Sequence, residues 1–187
     1  YDEMEIHGGI FYKKAELKNA EISLEPTKDD TFYGPMKIKS PKVEISAKDN
    51  AFSSFNVSLP DSVTVLSDEG TAQATFPEPL VIDVEREQAE AGTDANYSTA
   101  LPPSMTLTRP DESTAEIAFG KNSTMSGMIN LSASNYSHET QINGLKVLEN
   151  GETVSAVSVN ATVESGVQDK EFMKHQSFDV KELAFDG

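Results

Sequence analysis

Residues 157–163 read VSVNATV, and this stretch decides the fold class. Apolar residues occupy every second position, and serine, asparagine and threonine lie between them. Strict alternation of this kind is typical of a β-strand with one buried and one exposed face. The same period of two recurs at residues 43–47, 55–59 and 80–85. The sequence therefore predicts an all-β protein.

Turn residues separate the candidate strands. Gly, Pro, Asn and Asp cluster between the alternating runs, and Asn150-Gly151 is the clearest hairpin signal because this dipeptide suits a type I′ turn. We predict an antiparallel meander of about twelve strands. Two arrangements of these strands fit the pattern, a twisted open sheet and a β-sandwich.

Residues 86–100 differ from the rest, because this acidic segment contains almost no large apolar residue. Its first half suits about two turns of helix and its second half suits a loop. We expect a single β-rich domain over residues 1–187. The alternative is two lobes, 1–85 and 101–187, joined by this segment as a linker.

Charge and composition exclude several classes of function. The 187 residues carry 31 acidic and 15 basic side chains, a net charge of −16, which argues against binding to nucleic acid or to anionic membranes. The absence of cysteine rules out disulfides, zinc–thiolate sites and cysteine nucleophiles. No apolar run is long enough for a membrane span. Because the chain begins with Tyr1, we expect a processed or trimmed product.

Motifs of catalysis and metal binding are missing from the sequence. His7, His138 and His175 lack the spacing of a metal site, so we expect them to be exposed. No Gly-x-Ser-x-Gly motif is present. The acid pairs at 29–30, 68–69 and 111–112 fall at predicted turns without the rhythm of a calcium loop. We therefore predict no catalytic residues, no metal and no cofactor.

The motif Asn-x-Ser/Thr occurs more often in this sequence than its amino-acid composition predicts by chance. Six of the ten asparagines lie in this motif, which marks acceptors for N-glycosylation on exported proteins. The alternative is that Asn, Ser and Thr are all common in turns and at outward-facing strand positions, so that the motif arises without glycosylation. The candidates are Asn56, Asn96, Asn122, Asn130, Asn135 and Asn160.

Four segments carry a resemblance to a known family. Residues 6–12 (IHGGIFY), 15–22 (AELKNAEI), 33–38 (YGPMKI) and 55–60 (FNVSLP) follow one another in an order that resembles uncharacterised alphaproteobacterial membrane-anchored periplasmic β-rich proteins, AsmA-like in style. The proline of this family's first segment is absent from residues 10–12. The resemblance implies an extended antiparallel sheet in the periplasm, curled into an apolar groove that conducts lipid.

An apolar groove of this kind needs large side chains along one sheet face. The alternative, which we favour for most of these side chains, is the closed core of a sandwich. The candidate lining residues are Phe11, Leu17, Ile22, Phe55, Val57, Phe76 and Ile82.

The sequence leads to two main functional hypotheses. The first is a non-catalytic periplasmic binding or scaffold protein of the cell envelope, whose partners are lipid or other envelope proteins. The second is an extracellular structural subunit of a surface layer, filament or adhesin, N-glycosylated and self-associating. An enzyme is the least favoured class.

Overall fold

The computed structural model describes residues 1–8, 13–24, 36–47, 53–67, 70–89, 92–130, 135–168 and 171–186. Within these ranges the chain forms antiparallel strands and no helix, so the predicted all-β class is confirmed. There are fifteen strands where about twelve were expected, because the segments 3–8, 92–100 and 184–186 are not separate strands in the sequence prediction. The strands are β1 (Glu3–Gly8), β2 (Lys13–Leu24), β3 (Met36–Ala47), β4 (Ser54–Leu59), β5 (Ser62–Ser67), β6 (Gly70–Thr75), β7 (Leu80–Ala89), β8 (Gly92–Ala100), β9 (Ser104–Thr108), β10 (Thr114–Ala118), β11 (Thr124–Asn130), β12 (Asn135–Glu149), β13 (Glu152–Gln168), β14 (Glu171–Lys181) and β15 (Ala184–Asp186).

The fifteen strands form one sheet, and its pairings describe ten rows. Strand β3 pairs with β2 along one edge, while its other edge pairs with β4 near one end and β5 near the other. Strand β12 is divided in the same way between β11 and β10. Short strands therefore lie end to end in four central rows, namely β4 with β5, β7 with β6, β8 with β9, and β11 with β10. The chain passes from row to row as a meander.

A line that we call the crease crosses the sheet where the short strands meet. It passes through Asn19 in β2 and Pro41 in β3, the connections 60–61, 76–79, 101–103 and 119–123, Gly144 in β12, Val157 in β13 and Glu182 after β14. Six of the nine prolines lie on it. Proline donates no ladder hydrogen bond, so it ends or bends a strand at these points.

Left-handed backbone accompanies the crease. Asn19, Asn122, Gly144 and Glu182 have φ values of 50°, 63°, 66° and 53°. Single residues in this conformation produce β-bulges and sharpen the local bend of a strand. The predicted turn at Asn150-Gly151 is confirmed and lies away from the crease, with φ values of 50° and 85° in the hairpin between β12 and β13.

The structure differs from the sequence prediction of a helix and a loop within residues 86–100. Residues 86–89 belong to β7 and residues 92–100 to β8, and these two strands pair with each other, with β4 on one side and with β11 on the other. The predicted helix is therefore wrong. Cross-strand pairing determines this segment, and it overrides the preference of its Glu- and Ala-rich first half for helix.

Burial is low across the described residues. Their buried apolar side chains are three alanines, two valines and one proline, Ala47, Ala115, Ala156, Val84, Val159 and Pro102. No large side chain there is fully buried. A closed sandwich would bury its Leu, Ile and Phe residues between two layers. The burial therefore fits an open, twisted sheet with one crease better than a closed core.

Candidate functional site

Two neighbouring rungs of the sheet show how its faces differ. One rung runs across seven strands through residues that face one another directly, Ala47, Phe55, Val84, Tyr97, Gly127, His138 and Val163. The next rung contains only polar residues, Ser46, Asn56, Asp83, Ser98, Ser126, Glu139, Thr162 and Ser177. Adjacent rungs point to opposite faces. We call the first side the apolar face and the second the polar face.

The apolar face continues beyond the crease. One rung there joins Met105, Ile117, Val147, Val154 and Phe185. In β13, Ala156 and Val159 are both buried although they lie three residues apart, while Val157 between them is 57% exposed. One extra residue at the crease therefore resets the alternation. This places the apolar side chains of both halves on the same side.

Small residues are buried along the crease. Ser40, Thr99, Ser123 and Ala156 are between 2% and 5% exposed, although all four side chains are small and three of them are polar. Ser40 lies two residues from Ile38, and Thr99 lies two residues from Tyr97. Because residues two apart in a strand share a face, both Ser40 and Thr99 are on the apolar face. We infer that the two halves of the sheet bend toward the apolar face, because such a bend covers residues on its inner side.

Side-chain hydrogen bonds replace the ladder where the crease interrupts it. The Ser123 hydroxyl donates to the carbonyl of Gly120 at 2.8 Å and accepts from the Asn143 N–H at 3.0 Å. The Thr99 hydroxyl donates to the carbonyl of Val81 at 2.8 Å. These bonds satisfy backbone groups that would otherwise be buried without partners. Gly120 has no room for a side chain, because a Cβ would collide with the Asn143 carbonyl.

The structure brings four of the seven predicted groove residues together. Leu17, Phe55, Val57 and Ile82 lie on the apolar face, and Val57 and Ile82 face each other directly. All four are half-buried and not enclosed in a core.

The other three groove candidates have different outcomes. Phe76 lies in the connection between β6 and β7, half-buried, and its N–H donates to the carbonyl of Asp61 at 2.6 Å. Ile22 pairs with Ile38 in the register of β2 and β3. Phe11 lies outside the described residues.

A tyrosine–histidine pair lies within the apolar face. The hydroxyl of Tyr97 is 2.7 Å from Nδ1 of His138, and Nε2 of His138 is 2.8 Å from the hydroxyl of Thr140. Burial lowers the pKa of His138 and raises that of Tyr97, to which the nearby Tyr136 also contributes. The expectation that His138 is exposed is therefore wrong, since it is half-buried. His175 is exposed as predicted, and the side chain of His7 lies outside what the structure describes.

Ion pairs organise the polar face of the first three strands. Nζ of Lys18 lies 2.7 Å from Glu5 and 3.0 Å from Glu3. Nζ of Lys42 lies 2.6 Å from Glu44 and 3.0 Å from Glu16. Hydrogen bonds to these carboxylates raise the pKa of both lysines. The lysines neutralise acidic side chains locally, so this part of the surface is less negative than the net charge suggests.

Five of the six glycosylation candidates lie in strands. Asn56, Asn96 and Asn160 are half-buried, and Asn130 is 5% exposed, with its amide nitrogen 2.5 Å from Asp94. The Oδ1 atom of Asn56 is buried and has no hydrogen-bond partner. Asn122, in the connection 119–123, and Asn135, at the start of β12, are exposed. Access for a modifying enzyme therefore favours these last two.

The acid pairs give no metal site in the part of the chain that the structure describes. Asp111 and Glu112 occupy the turn between β9 and β10, where Asp111 accepts hydrogen bonds from the N–H and hydroxyl of Ser113. These bonds lower the pKa of Asp111. The pairs at 29–30 and 68–69 lie outside the described residues. No group of three or more metal-ligating side chains occurs among the residues described.

Comparison with known proteins adds no relative. Neither the family models, nor the curated proteins, nor the solved structures contain a match to this chain. No helix among the described residues is long and apolar enough to cross a membrane. The resemblance to AsmA-like proteins therefore stays a prediction.

Proposed function

We propose that this protein is a non-catalytic component of the bacterial cell envelope, located in the periplasm, that binds lipid acyl chains on its apolar face. One observation carries the proposal. Apolar side chains line up across successive rows on one side of the sheet, while the large ones remain only half-buried. A surface of this kind is stabilised when a ligand or partner removes it from water.

The dimensions and chemistry of the face suit an elongated apolar ligand. Ten rows spaced about 4.8 Å apart extend over roughly 43 Å. Each methylene group that leaves water contributes about 0.8 kcal/mol. A bend toward this side would increase the contact that one acyl chain makes with the sheet. The AsmA-like resemblance points to the same class of ligand.

Binding of a fluorescent 16-carbon fatty acid tests the proposal. Ile82 and Val81 are neighbours in β7, but Ile82 lies on the apolar face and Val81 on the polar face, 43% exposed. We expect saturable binding to the unaltered protein. Ile82→Lys should weaken it about tenfold, which corresponds to 1.4 kcal/mol, whereas Val81→Lys should leave it unchanged. Absence of saturable binding, or an equal loss in both variants, would contradict the proposal.

The second candidate function is an N-glycosylated extracellular structural subunit. The exposure of Asn122 and Asn135 favours it. Intact mass of protein from its natural source should then exceed the sequence mass by whole sugar units. Asn122→Gln and Asn135→Gln would each remove one unit of that excess. A mass equal to that of the sequence would exclude glycosylation.

A further inference from the structure

The most exposed large apolar side chains are concentrated at the two outer rows of the sheet. Four such residues are more than 60% exposed, Tyr1 at 66%, Ile6 at 70%, Phe178 at 71% and Phe185 at 74%. Tyr1 and Ile6 belong to the first row, and Phe178 and Phe185 to the last. In the described part of the chain, β1 pairs only with β2, and β14 and β15 pair only with β13. Among the described strands, both outer rows therefore combine exposed apolar side chains with an edge to which no further strand is added.

We propose that β14 of one copy pairs with β1 of a second copy, head to tail, so that the sheet continues from molecule to molecule. Unpaired edges with exposed apolar residues are templates for strand addition. Sheet proteins that remain monomeric often protect their edges with Lys, Pro or a bulge. The sequence of β1, EMEIHG, contains no Lys, Arg or Pro.

Strand direction supports this arrangement. Successive rows run in opposite directions, and with ten rows the first and last are antiparallel to each other. A second copy placed beside β14 in the same orientation therefore extends the sheet with antiparallel pairing. Its apolar face then lies on the same side as that of the first copy. Pairing of β14 with another β14 about a twofold axis perpendicular to the sheet would also be antiparallel, but it would leave β1 of each copy without a partner strand from the other copy.

The crease fixes the register of the proposed pairing. It reaches the first row at Asp2, which accepts a hydrogen bond from the side chain of Asn19 at 2.8 Å, and the last row at Glu182. If Asp2 faces Glu182, Ile6 faces Phe178, because each lies four residues from the crease. The same register places Met4 opposite Val180. The two most exposed apolar side chains of the paired strands therefore cover each other.

In this register one of the three facing pairs of charged residues is complementary, whereas Asp2 with Glu182 and Glu5 with Asp179 are like-charged. Glu3, whose side chain is 57% exposed, faces Lys181. Glu5 faces Asp179, but Nζ of Lys18 lies 2.7 Å from Glu5 and offsets its charge. Opposite charges that face each other across two strands stabilise the pairing, and like charges oppose it.

Cysteine cross-linking tests the pairing directly, because the protein contains no cysteine. Ile6→Cys and Phe178→Cys are made as separate proteins, mixed in equal amounts and oxidised in air. Both positions are exposed, so the variants should melt like the unaltered protein. We expect a disulfide-linked heterodimer, identified by electrophoresis and mass spectrometry. Ser177→Cys is the control, since Ser177 points to the opposite face, and its yield with Ile6→Cys should be several-fold lower.

Sedimentation provides an independent measure. The unaltered protein should associate as its concentration rises, and Phe178→Lys should shift association to concentrations at least several-fold higher. A sedimentation coefficient that does not change with concentration would overturn the proposal. A dominant Phe178→Cys homodimer, or equal cross-linking through Ser177→Cys, would also overturn it. None of these results depends on lipid binding, so the two proposals can fail separately.

Discussion

The hydroxyl of Tyr97 lies 2.7 Å from Nδ1 of His138, although β8 and β12 are not neighbours in the sheet. Strand β11 runs between them, and Gly127 is its residue on this rung. The absence of a side chain lets the tyrosine ring cross β11 and stack with the imidazole, with ring centroids 6.1 Å apart. This bridge ties three rows together on the apolar face.

Replacement of Gly127 by alanine should break this bridge. A Cβ atom at this position would collide with the backbone carbonyl of Ser137 and would lie 2.5 Å from the Tyr97 hydroxyl and 2.6 Å from Cζ, so both the β12 backbone and the ring would have to move. We expect the free energy of unfolding to fall by about 1–3 kcal/mol, as for other overpacked sites. Chemical denaturation measures this change. Gly166→Ala is the control, because its nearest neighbour is the movable side chain of Asn135. An equal loss in both variants would show that neither the Ser137 carbonyl nor the Tyr97 ring determines the cost.

Stability should depend on the protonation of His138. Burial holds its pKa in the folded protein below the ordinary value of 6.5. The unfolded chain therefore binds the proton first as the pH falls, so stability is complete above about pH 6.5 and decreases below it. His138→Gln should flatten this dependence between pH 7 and 5, measured by denaturation at several pH values. His175→Gln, at an exposed position, should keep the slope of the unaltered protein. A slope that survives His138→Gln would assign the effect to another group.

Ser123→Ala should weaken the crease. The substitution removes the hydroxyl that donates to Gly120 and accepts from Asn143, at a residue only 2% exposed. A buried N–H without a partner costs about 1–3 kcal/mol. Thermal or chemical unfolding should show a loss of this size. Ser104→Ala, at an exposed position in β9, should change stability by less than about 0.5 kcal/mol. Similar small effects at both sites would mean that water replaces the Ser123 hydroxyl.

Alternation in the sequence predicted most of the strands and their polar and apolar faces, but it did not predict β1, β8 or β15 as separate strands. It placed Leu17, Phe55, Val57 and Ile82 on one face without any knowledge of their partners. Alternation fails at Val157, which continues the apolar period of β13 but is 57% exposed. A bulge changes the face of each later residue, and periodicity alone does not locate it.

The positions of the prolines indicate the crease. The prediction of strands relied on the alternation of apolar and polar residues and did not use these positions. Prolines occur at 41, 60, 77, 79, 102 and 103, one position or pair in each of four successive rows of the meander. Each proline, taken alone, predicts only an ordinary turn. Their alignment across the sheet becomes visible only when the pairing of the rows is known. The environment of His138 is equally non-local, because it depends on Tyr97, 41 residues away, and on Gly127 between their strands.

Ala115→Leu should destabilise the protein. Like Gly127, Ala115 lies on a strand that is crossed by a contact between side chains of its two neighbouring rows. Arg109, which follows β9, and Glu149 in β12 form a bidentate ion pair that spans β10, and Nη2 of Arg109 lies 2.9 Å from Oε2 of Glu149. Ala115 lies on β10 directly opposite Glu149 and is 1% exposed. A larger side chain there would press against the ion pair, so we expect a loss of about 1–3 kcal/mol.

Ala118→Leu provides the matched control for this substitution. Ala118 lies on the same strand but is exposed on the other face. The added side chain meets no packed neighbour there, and stability should change by less than about 0.5 kcal/mol. Urea unfolding of both variants measures the difference. If Ala115→Leu were tolerated as well as Ala118→Leu, the ion pair would be free to move aside, and Ala115 would not mark a constrained contact between the rows.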